Sequence, residues 1–447
     1  MENNNHLTTA PIPDLIKMIA IPSSMGFLFN TLFNVVDTYF AGIVSTDALA
    51  ALSLSFPVFF IIIALGSGVS TAATALIANS LGAGDMKSAR FYSVQSISFG
   101  FFVSLILTWL GLAFSPFLFR TLGASDSYLA MSLSYSNVIF YGSVFFLLSF
   151  VLSGILSSQG NTKTYRNLLV IGFFLNIIFD PWFIRGGYGL PAMGLAGVAW
   201  ATVVIQFLTT VYLLIKVGRT DIFCKECKDM LIPRWRYYRD IARQGFPASL
   251  NMLTVAIGIF VITYFISRYG KAGVAAYGIA TRIDQMAVLP IVGLNIAALT
   301  LVGQNNGAKL FGRVKETIRL CLLYGFYVTI MGAALVLALA PQLMGLFSQD
   351  REVVRIGVEY LRISAFVYFA YTTLYVATSA LQGLKKPLYA IWIGLYRQIA
   401  APLLIFWVLA VVLDWQLKGV WWGVFIINTT AAIITLVYMR ATLRKLD

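Results

Sequence analysis

The stretch PSSMGFLFNTLFNVVDTYFAG, residues 22–42, has a single charged residue, and 225 positions later the chain reads PASLNMLTVAIGIFVITYFIS, residues 247–267, with none. A bilayer core is crossed by about 20 mostly apolar helical residues, so each copy reads as a membrane span. Aligned without gaps, Pro22 meets Pro247, Ser24 meets Ser249, Val36 meets Val261, and Thr38, Tyr39, Phe40 meet Thr263, Tyr264, Phe265. The match continues through Ala50 and Ala51 with Ala275 and Ala276, Gly68 with Gly293, Ala72 and Ala73 with Ala297 and Ala298, Leu76 with Leu301, and Gly82 and Ala83 with Gly307 and Ala308. A weaker echo pairs Gln159 and Gly160 with Gln382 and Gly383, and Gly197, Val198, Trp200 with Gly419, Val420, Trp422. The chain is built from a duplicated unit.

Composition says what surrounds that unit. Of 447 residues 59% are hydrophobic and 11% charged, and the mean hydropathy is +0.82. Fifty charged side chains cannot coat a soluble core of this length, so lipid is the solvent. Apolar runs long enough to span fall at 18–42, 49–80, 91–118, 128–156, 168–184 and 192–215, then at 246–266, 274–303, 318–339, 356–381, 387–413 and 420–439. The expected fold is an all-α integral membrane protein with twelve transmembrane helices in two pseudo-symmetric six-helix bundles around a central cleft. The N-terminal lobe is expected at 1–217, a cytoplasmic linker at 218–242 and the C-terminal lobe at 243–447.

The net charge of +14 sits between the apolar runs rather than on one basic face, so it does not point to nucleic acid. Sorted by loop, 21 of the 32 Lys and Arg lie on the side of both termini and 7 on the other, which places the termini in the cytoplasm. Three Cys exclude a disulfide framework, and the single His, His6, excludes a histidine metal site. The first apolar run has no cleavable signal pattern ahead of it and stays as a span.

Six helices bring each copy into the membrane from the same side, which makes this a parallel repeat about an axis along the membrane normal. Two such lobes with a cleft between them suit alternating access. An enzyme has no need of that geometry.

Carboxylates within spans are costly and therefore candidate functional groups. Asp37 lies in span one, Asp180 in span five, Asp284 in span eight and Glu359 at the edge of span ten. Gly26, Asn30, Asn34 and Asp37 follow at spacings of four, four and three, one face of a helix. Span five carries Asn176 and Asp180 four apart, with Pro181 next, a proline able to free a backbone carbonyl beside the carboxylate. Both helices run outward, so Asp37, Asn176 and Asp180 share a depth. Two carboxylates brought together there cannot both ionise comfortably, and the pair is expected to hold a proton or a small cation. The competing reading is a satisfied polar network closed by Arg282 or Arg397. Asp284 and Arg397 are expected to meet as a structural ion pair near the midplane. Pro22 and Gly26 form a proline kink and a flexible residue one turn apart, read either as a hinge or as plain packing.

Two motifs mislead. Gly82, Ala83, Gly84, Asp85 spells the GxGD of intramembrane aspartyl proteases, but it follows span two and precedes Lys87 and Arg90 in a cytoplasmic loop, so it reads as a helix-ending turn. Cys224 and Cys227 form a CxxC with no second pair or His to complete a zinc site.

NVVDTYFAG in span one, LGAGD after span two, SSQGNTK after span four, NIIFDP in span five and GLAGVAWAT in span six resemble, in order and spacing, the MATE (multidrug and toxic compound extrusion) transporters over essentially all twelve spans. The likeness is to the DinF-like branch. It implies a cation or proton site at Asp37, Asn176 and Asp180, adds Thr202 of span six, and matches Pro22 and Gly26 to that branch's span-one bend. The NorM-like branch carries carboxylates on spans seven and ten. Here Ile262 stands at the repeat-equivalent of Asp37, and span ten reads Tyr371, Thr372, Thr373.

The resemblance implies a secondary multidrug efflux transporter in the bacterial inner membrane. It would export organic cations or amphiphilic drugs by antiport with protons, or with Na+ at Asp37, Asn176, Asp180 and Thr202. Asn30, Asn34 and Tyr39 are candidate cleft-lining residues for the substrate. No cofactor beyond the coupling ion is implied, and a monomer is expected, since twelve helices already make a complete transporter. The alternative is a flippase for a lipid or lipid-linked oligosaccharide.

Overall fold

The computed structural model describes residues 6–446 apart from 122–123, 125, 188, 224–229 and 231, so the Cys224–Cys227 pair lies outside the described residues. It is 89% helical. A short α1 (His6–Thr9) leads into α2 (Ile12–Val44), α3 (Thr46–Gly82), α4 (Met86–Thr121), α5 (Asp126–Tyr141), α6 (Ser143–Ser158), α7 (Lys163–Arg185) and α8 (Leu195–Gly218). The second repeat comprises α9 (Trp235–Ser267), α10 (Lys271–Gly307), α11 (Phe311–Gly345), α12 (Arg351–Gly383), α13 (Leu388–Leu395), α14 (Ala401–Phe406) and α15 (Gln416–Arg444). Among the described residues, ten helical stretches are long and apolar enough to cross a bilayer singly, and α5 with α6 makes an eleventh span bent by 46°. The tenth expected span falls on α12, equally long but more polar, with Arg351, Glu352, Arg355, Glu359 and Arg362 in its first three turns.

Span four, expected as one helix, breaks at Gly142. A Cβ there would stand 2.4 Å from Val203 Cγ2, so α8 approaches the backbone too closely for any larger residue. Hydroxyls of α4 and α6 hold the bend. Thr108 Oγ1 donates to the Phe140 carbonyl (2.9 Å) and lies 2.8 Å from Ser143 Oγ, while Ser143 Oγ lies 3.2 Å from the Ser104 carbonyl. Side-chain hydroxyls re-satisfy freed backbone groups where no water is available. Span eleven also departs from a plain α-helix, with π-turns at Tyr396–Ala400 and Trp407–Val412 flanking α14. Pro402 just inside α14 has no N–H to donate one turn back, which accounts for the first of them.

The GxGD stretch is the turn between α3 and α4. Gly84 takes φ +72, and Asp85 Oδ1 accepts the Ser88 N–H at 2.9 Å. The Ser88 hydroxyl, followed by that backbone bond, holds the Asp85 carboxyl below its usual range, as befits a helix-capping group.

The chain divides into two compact units, 25–249 and 1–24 with 250–447. The boundaries fall inside α2 and α9 rather than at 217 and 243. In the second unit Ile12, Leu15, Ile16, Ile19 and Ala20 of α2 are buried with Leu294, Ala297, Leu301, Cys321 and Val376. Arg313 Nη2 donates to the Ala10 carbonyl near 2.6 Å. In the first unit the linker end is docked rather than free: Gln95 Nε2 donates to the Met230 and Ile232 carbonyls, and Gln95 Oε1 accepts the Arg234 N–H at 2.9 Å. Phe91 stacks on Tyr237 at 4.9 Å.

Two repeat-related glycines fix these seats. A Cβ on Gly68 would lie 1.9 Å from Ser249 Oγ and 2.7 Å from the Gly245 carbonyl, and one on Gly293 would lie 2.2 Å from both Ser24 Oγ and the Ala20 carbonyl. Because the obstruction includes backbone, Gly68→Val and Gly293→Val are each expected to destabilise by about 1–3 kcal/mol. Gly42→Ala, with nothing within 4 Å, is expected to leave thermal unfolding in detergent unchanged or slightly raised.

Candidate functional site

The site of the first unit starts from α7, whose buried residues are Gly172, Asn176 and Asp180, one every fourth position. Four-residue spacing puts all three on one stripe. Gly172 has only Ile205 of α8 within reach of a Cβ, at 3.3 Å, so α7 and α8 lie close there. The stripe α7 turns inward is thus polar, the reverse of an ordinary amphipathic pattern.

Asp37 of α2 and Thr202 of α8 complete it. Asn176 Nδ2 donates to Asp37 Oδ1 at 2.8 Å and to Asp180 Oδ1 at 3.0 Å, so one amide group bridges both carboxyls. The two carboxyls are also within hydrogen-bonding reach of each other. A carboxylate only accepts, so a bond between them requires one proton in the pair. Thr202 has one hydroxyl hydrogen for two acceptors, the Val198 carbonyl at 3.0 Å and Asp37 Oδ2 at 3.4 Å. Asn176 and Asp180 are fully buried, and Asp37 and Thr202 nearly so.

Two oxygens of the cluster, Asn176 Oδ1 and Asp180 Oδ2, are buried without a hydrogen-bond partner. Uncompensated burial of such oxygens costs several kcal/mol. Among the described residues no Lys, Arg or His pairs with either carboxylate. The closure by arginine considered above is not made: Arg397 lies over the Tyr371 and Tyr375 rings, 5.9 Å from each centroid, and Arg282 is exposed. The oxygens fit a proton on the carboxyl pair, and as an all-oxygen donor set they also fit a hard monovalent cation.

Asp37, Asn176, Asp180 and Thr202 are therefore brought together as expected from α2, α7 and α8. Asn30, Asn34 and Tyr39 are not part of the cluster. All three are exposed, and the Asn34 amide donates to its own helix at the Asn30 carbonyl, 2.8 Å away. Along this one face of α2 the acid is buried and the two amides are exposed. Gly26 is a close approach: a Cβ would meet Leu169 Cδ1 at 3.0 Å and Arg166 Cα at 3.4 Å. The α2 helix runs unbroken through Pro22.

Sequence reading missed Tyr135 of α5, a buried tyrosine within electrostatic range of both carboxyls. Its signal was the hydroxyl-rich run Ser132, Ser134, Tyr135, Ser136 within an apolar span. The expected Asp284–Arg397 pair does not form. Asp284 Oδ1 instead accepts the Ser364 hydroxyl (2.9 Å) and the Tyr368 hydroxyl (2.6 Å). Glu359 pairs loosely with Lys418, 3.9 Å away and largely exposed, a contact worth little.

The sequence profile of the MatE family matches residues 22–182 and again 247–408, two copies beginning at Pro22 and Pro247. The chain belongs to the MATE family. Members of that family are transporters, so this multi-pass membrane protein is a transporter and not an enzyme. It is similar to "Probable multidrug resistance protein NorM" of Thermotoga maritima, 27% identical over 428 residues, with 94% of this chain and 91% of that protein covered. It is also similar to "Probable multidrug resistance protein YoeA" of Bacillus subtilis, 25% identical over 387 residues, covering 84% of this chain and 82% of the relative. A crystal structure of a MATE protein in complex with MaD3S superposes with a TM-score of 0.92 at 25% identity, covering 99% of this chain and 98% of the other.

The geometry separates the roles of the amide and the acids. Asn176→Leu removes the shared donor and is expected to cost about 1.5–3 kcal/mol of stability, because hydrogen bonds to charged groups are involved. Asp180→Asn removes the need for a shared proton, and its thermal unfolding midpoint is expected to equal or exceed wild type, most clearly at alkaline pH where protons are scarce. Unfolding scans across pH read both effects.

Proposed function

We propose that the protein exports organic cations or amphiphilic drugs by antiport with protons, with the same oxygens also able to take sodium. The single observation behind this reading is the buried carboxyl pair bridged by one amide, with no basic partner among the described residues and two oxygens that no described residue hydrogen-bonds. Such a group must gain a positive charge to sit comfortably in a low-dielectric bundle. The multidrug relatives named above support the substrate class. Carboxylates on α2 and α7, and none on the membrane part of α9, support the DinF-like branch.

In this reading the ion enters from outside and cancels one of the two negative charges of the Asp37–Asp180 pair. The Asn176 bridge then holds α2 against α7. When the ion leaves, two like charges face each other with one donor between them, and α2 rearranges. Pro22 and Gly26 bracket the point where α2 passes from one compact unit to the other, and we assign the bend to that segment. Linkage requires substrate and ion to weaken each other's binding reciprocally. The protein sits in the bacterial inner membrane as a monomer, with both termini in the cytoplasm, as the distribution of basic residues favours.

The test is extrusion of a fluorescent organic cation from proteoliposomes under an imposed proton gradient and, separately, a sodium gradient. Wild type is expected to export under at least one gradient, which names the ion, and Asp37→Asn is expected to lose gradient-driven export. Export undiminished in Asp37→Asn contradicts the assignment of the site. No wild-type export under either gradient favours a flippase for a lipid or lipid-linked oligosaccharide.

A further inference from the structure

The second unit contains a buried acid that the proposed cycle does not use. Asp284 of α10 is 7% exposed, and its hydrogen-bond partners are neutral hydroxyls: Ser364 at 2.9 Å and Tyr368 at 2.6 Å on Oδ1. Among the described residues it has no ion-pair partner. Its surroundings are aromatic. Tyr360 packs on Trp421 with ring centroids 4.9 Å apart, and Tyr277 on Tyr360 at 5.5 Å. The repeat-equivalent of Asp284 is Phe59, just as that of Asp37 is Ile262, so the two acids are separate additions to a shared scaffold.

The titratable groups around it are accounted for. Tyr277 lies on its own helix and Tyr360, Tyr368 and Tyr371 on α12. Arg397 is engaged with the Tyr371 and Tyr375 rings. Arg282, also on α10, is exposed, and α11 brings no hydrogen-bond donor to the carboxyl. A carboxylate in such a place has two tolerable states: ionised with hydroxyls donating to it, or neutral with a proton of its own. The hydroxyls that donate to Oδ1 stabilise the ionised form in part, and with no cation among the described residues paired to the buried carboxyl, a proton is what removes the remaining charge. The Asp37 cluster differs in leaving two oxygens without a hydrogen-bond partner.

We infer that Asp284, held by Ser364 and Tyr368, is a second proton-carrying site, so that each compact unit binds a proton of its own. The step is a proton transfer: an O–H bond of hydronium breaks, an O–H bond on a carboxyl oxygen forms, and the reverse returns it. The small exposed area of the side chain is the point of access. That this proton takes part in export rests on the antiport reading; that the site titrates does not.

The test is pH-difference infrared spectroscopy of the full-length protein in lipid, reading the C=O band of protonated carboxyl groups. Wild type is expected to show a band that vanishes in Asp284→Asn and survives in the Asp37→Asn/Asp180→Asn double variant. Tyr368→Phe and Ser364→Ala, which keep the acid and remove one hydrogen bond each, are expected to shift the same band, and they serve if Asp284→Asn does not fold. A difference spectrum unchanged by Asp284→Asn, or a band that neither hydroxyl variant moves, overturns the proposal. In the same vesicles, wild-type export that ignores both gradients overturns the antiport reading and leaves the infrared result standing, because the band requires no transport.

Discussion

One amide nitrogen between two buried carboxyl groups sets the terms for the first unit. Asn176 Nδ2 reaches Asp37 and Asp180 together at 2.8 and 3.0 Å, and no basic side chain among the described residues relieves their charge. A low dielectric magnifies what is left unbalanced. Left as two carboxylates the cluster would carry a standing penalty of several kcal/mol, which a bound proton or cation relieves. Because Asp37 sits on α2 while Asn176 and Asp180 sit on α7, in the proposed cycle the state of that ion sets how firmly the two helices are tied. Asp180 and Asn176 share their stripe with Gly172, which keeps α7 close to α8, so the same face that carries the chemistry also sets the packing.

Around the site, small residues decide which helix belongs where. Gly68 and Gly293, equivalent in the two repeats, receive the first turns of α9 and α2 at distances no Cβ would allow. Each seat draws the first part of a repeat's leading helix into the unit formed mainly by the other repeat. The units of the fold are consequently not the units of the duplication. A helix shared between two bodies suits a rearrangement that begins at its acid, and Pro22 and Gly26 lie at that junction.

Much of this was legible in the residues. Apolar run lengths located the spans, the constant offset of 225 revealed the duplication, and four-residue spacing put Asn176 and Asp180 on one face. Depth in the membrane brought Asp37 to them, while Thr202 entered through the likeness to known transporters. What escaped sequence reading was set by contacts distant in the chain. The break at Gly142 depends on Val203, and the unit boundaries depend on Gly68 and Gly293. The exposure of Asn30 and Asn34 beside a buried Asp37 depends on which helices cover α2 at each level, which a helical wheel does not show. Arg397 was a plausible counter-ion for Asp284 by depth alone, but π-turns near Pro402 set its side chain over Tyr371 and Tyr375 instead.

The central claim is that the Asp37–Asp180 pair binds its ion in competition with substrate. The most direct measurement is the affinity of the purified protein for an organic cation, titrated across pH and across sodium at fixed ionic strength, in wild type and in Asp180→Asn. The account predicts that wild-type affinity falls as the coupling ion rises and that the dependence flattens in the variant. An affinity indifferent to both ions in wild type, or a dependence that survives unchanged in Asp180→Asn, would contradict it.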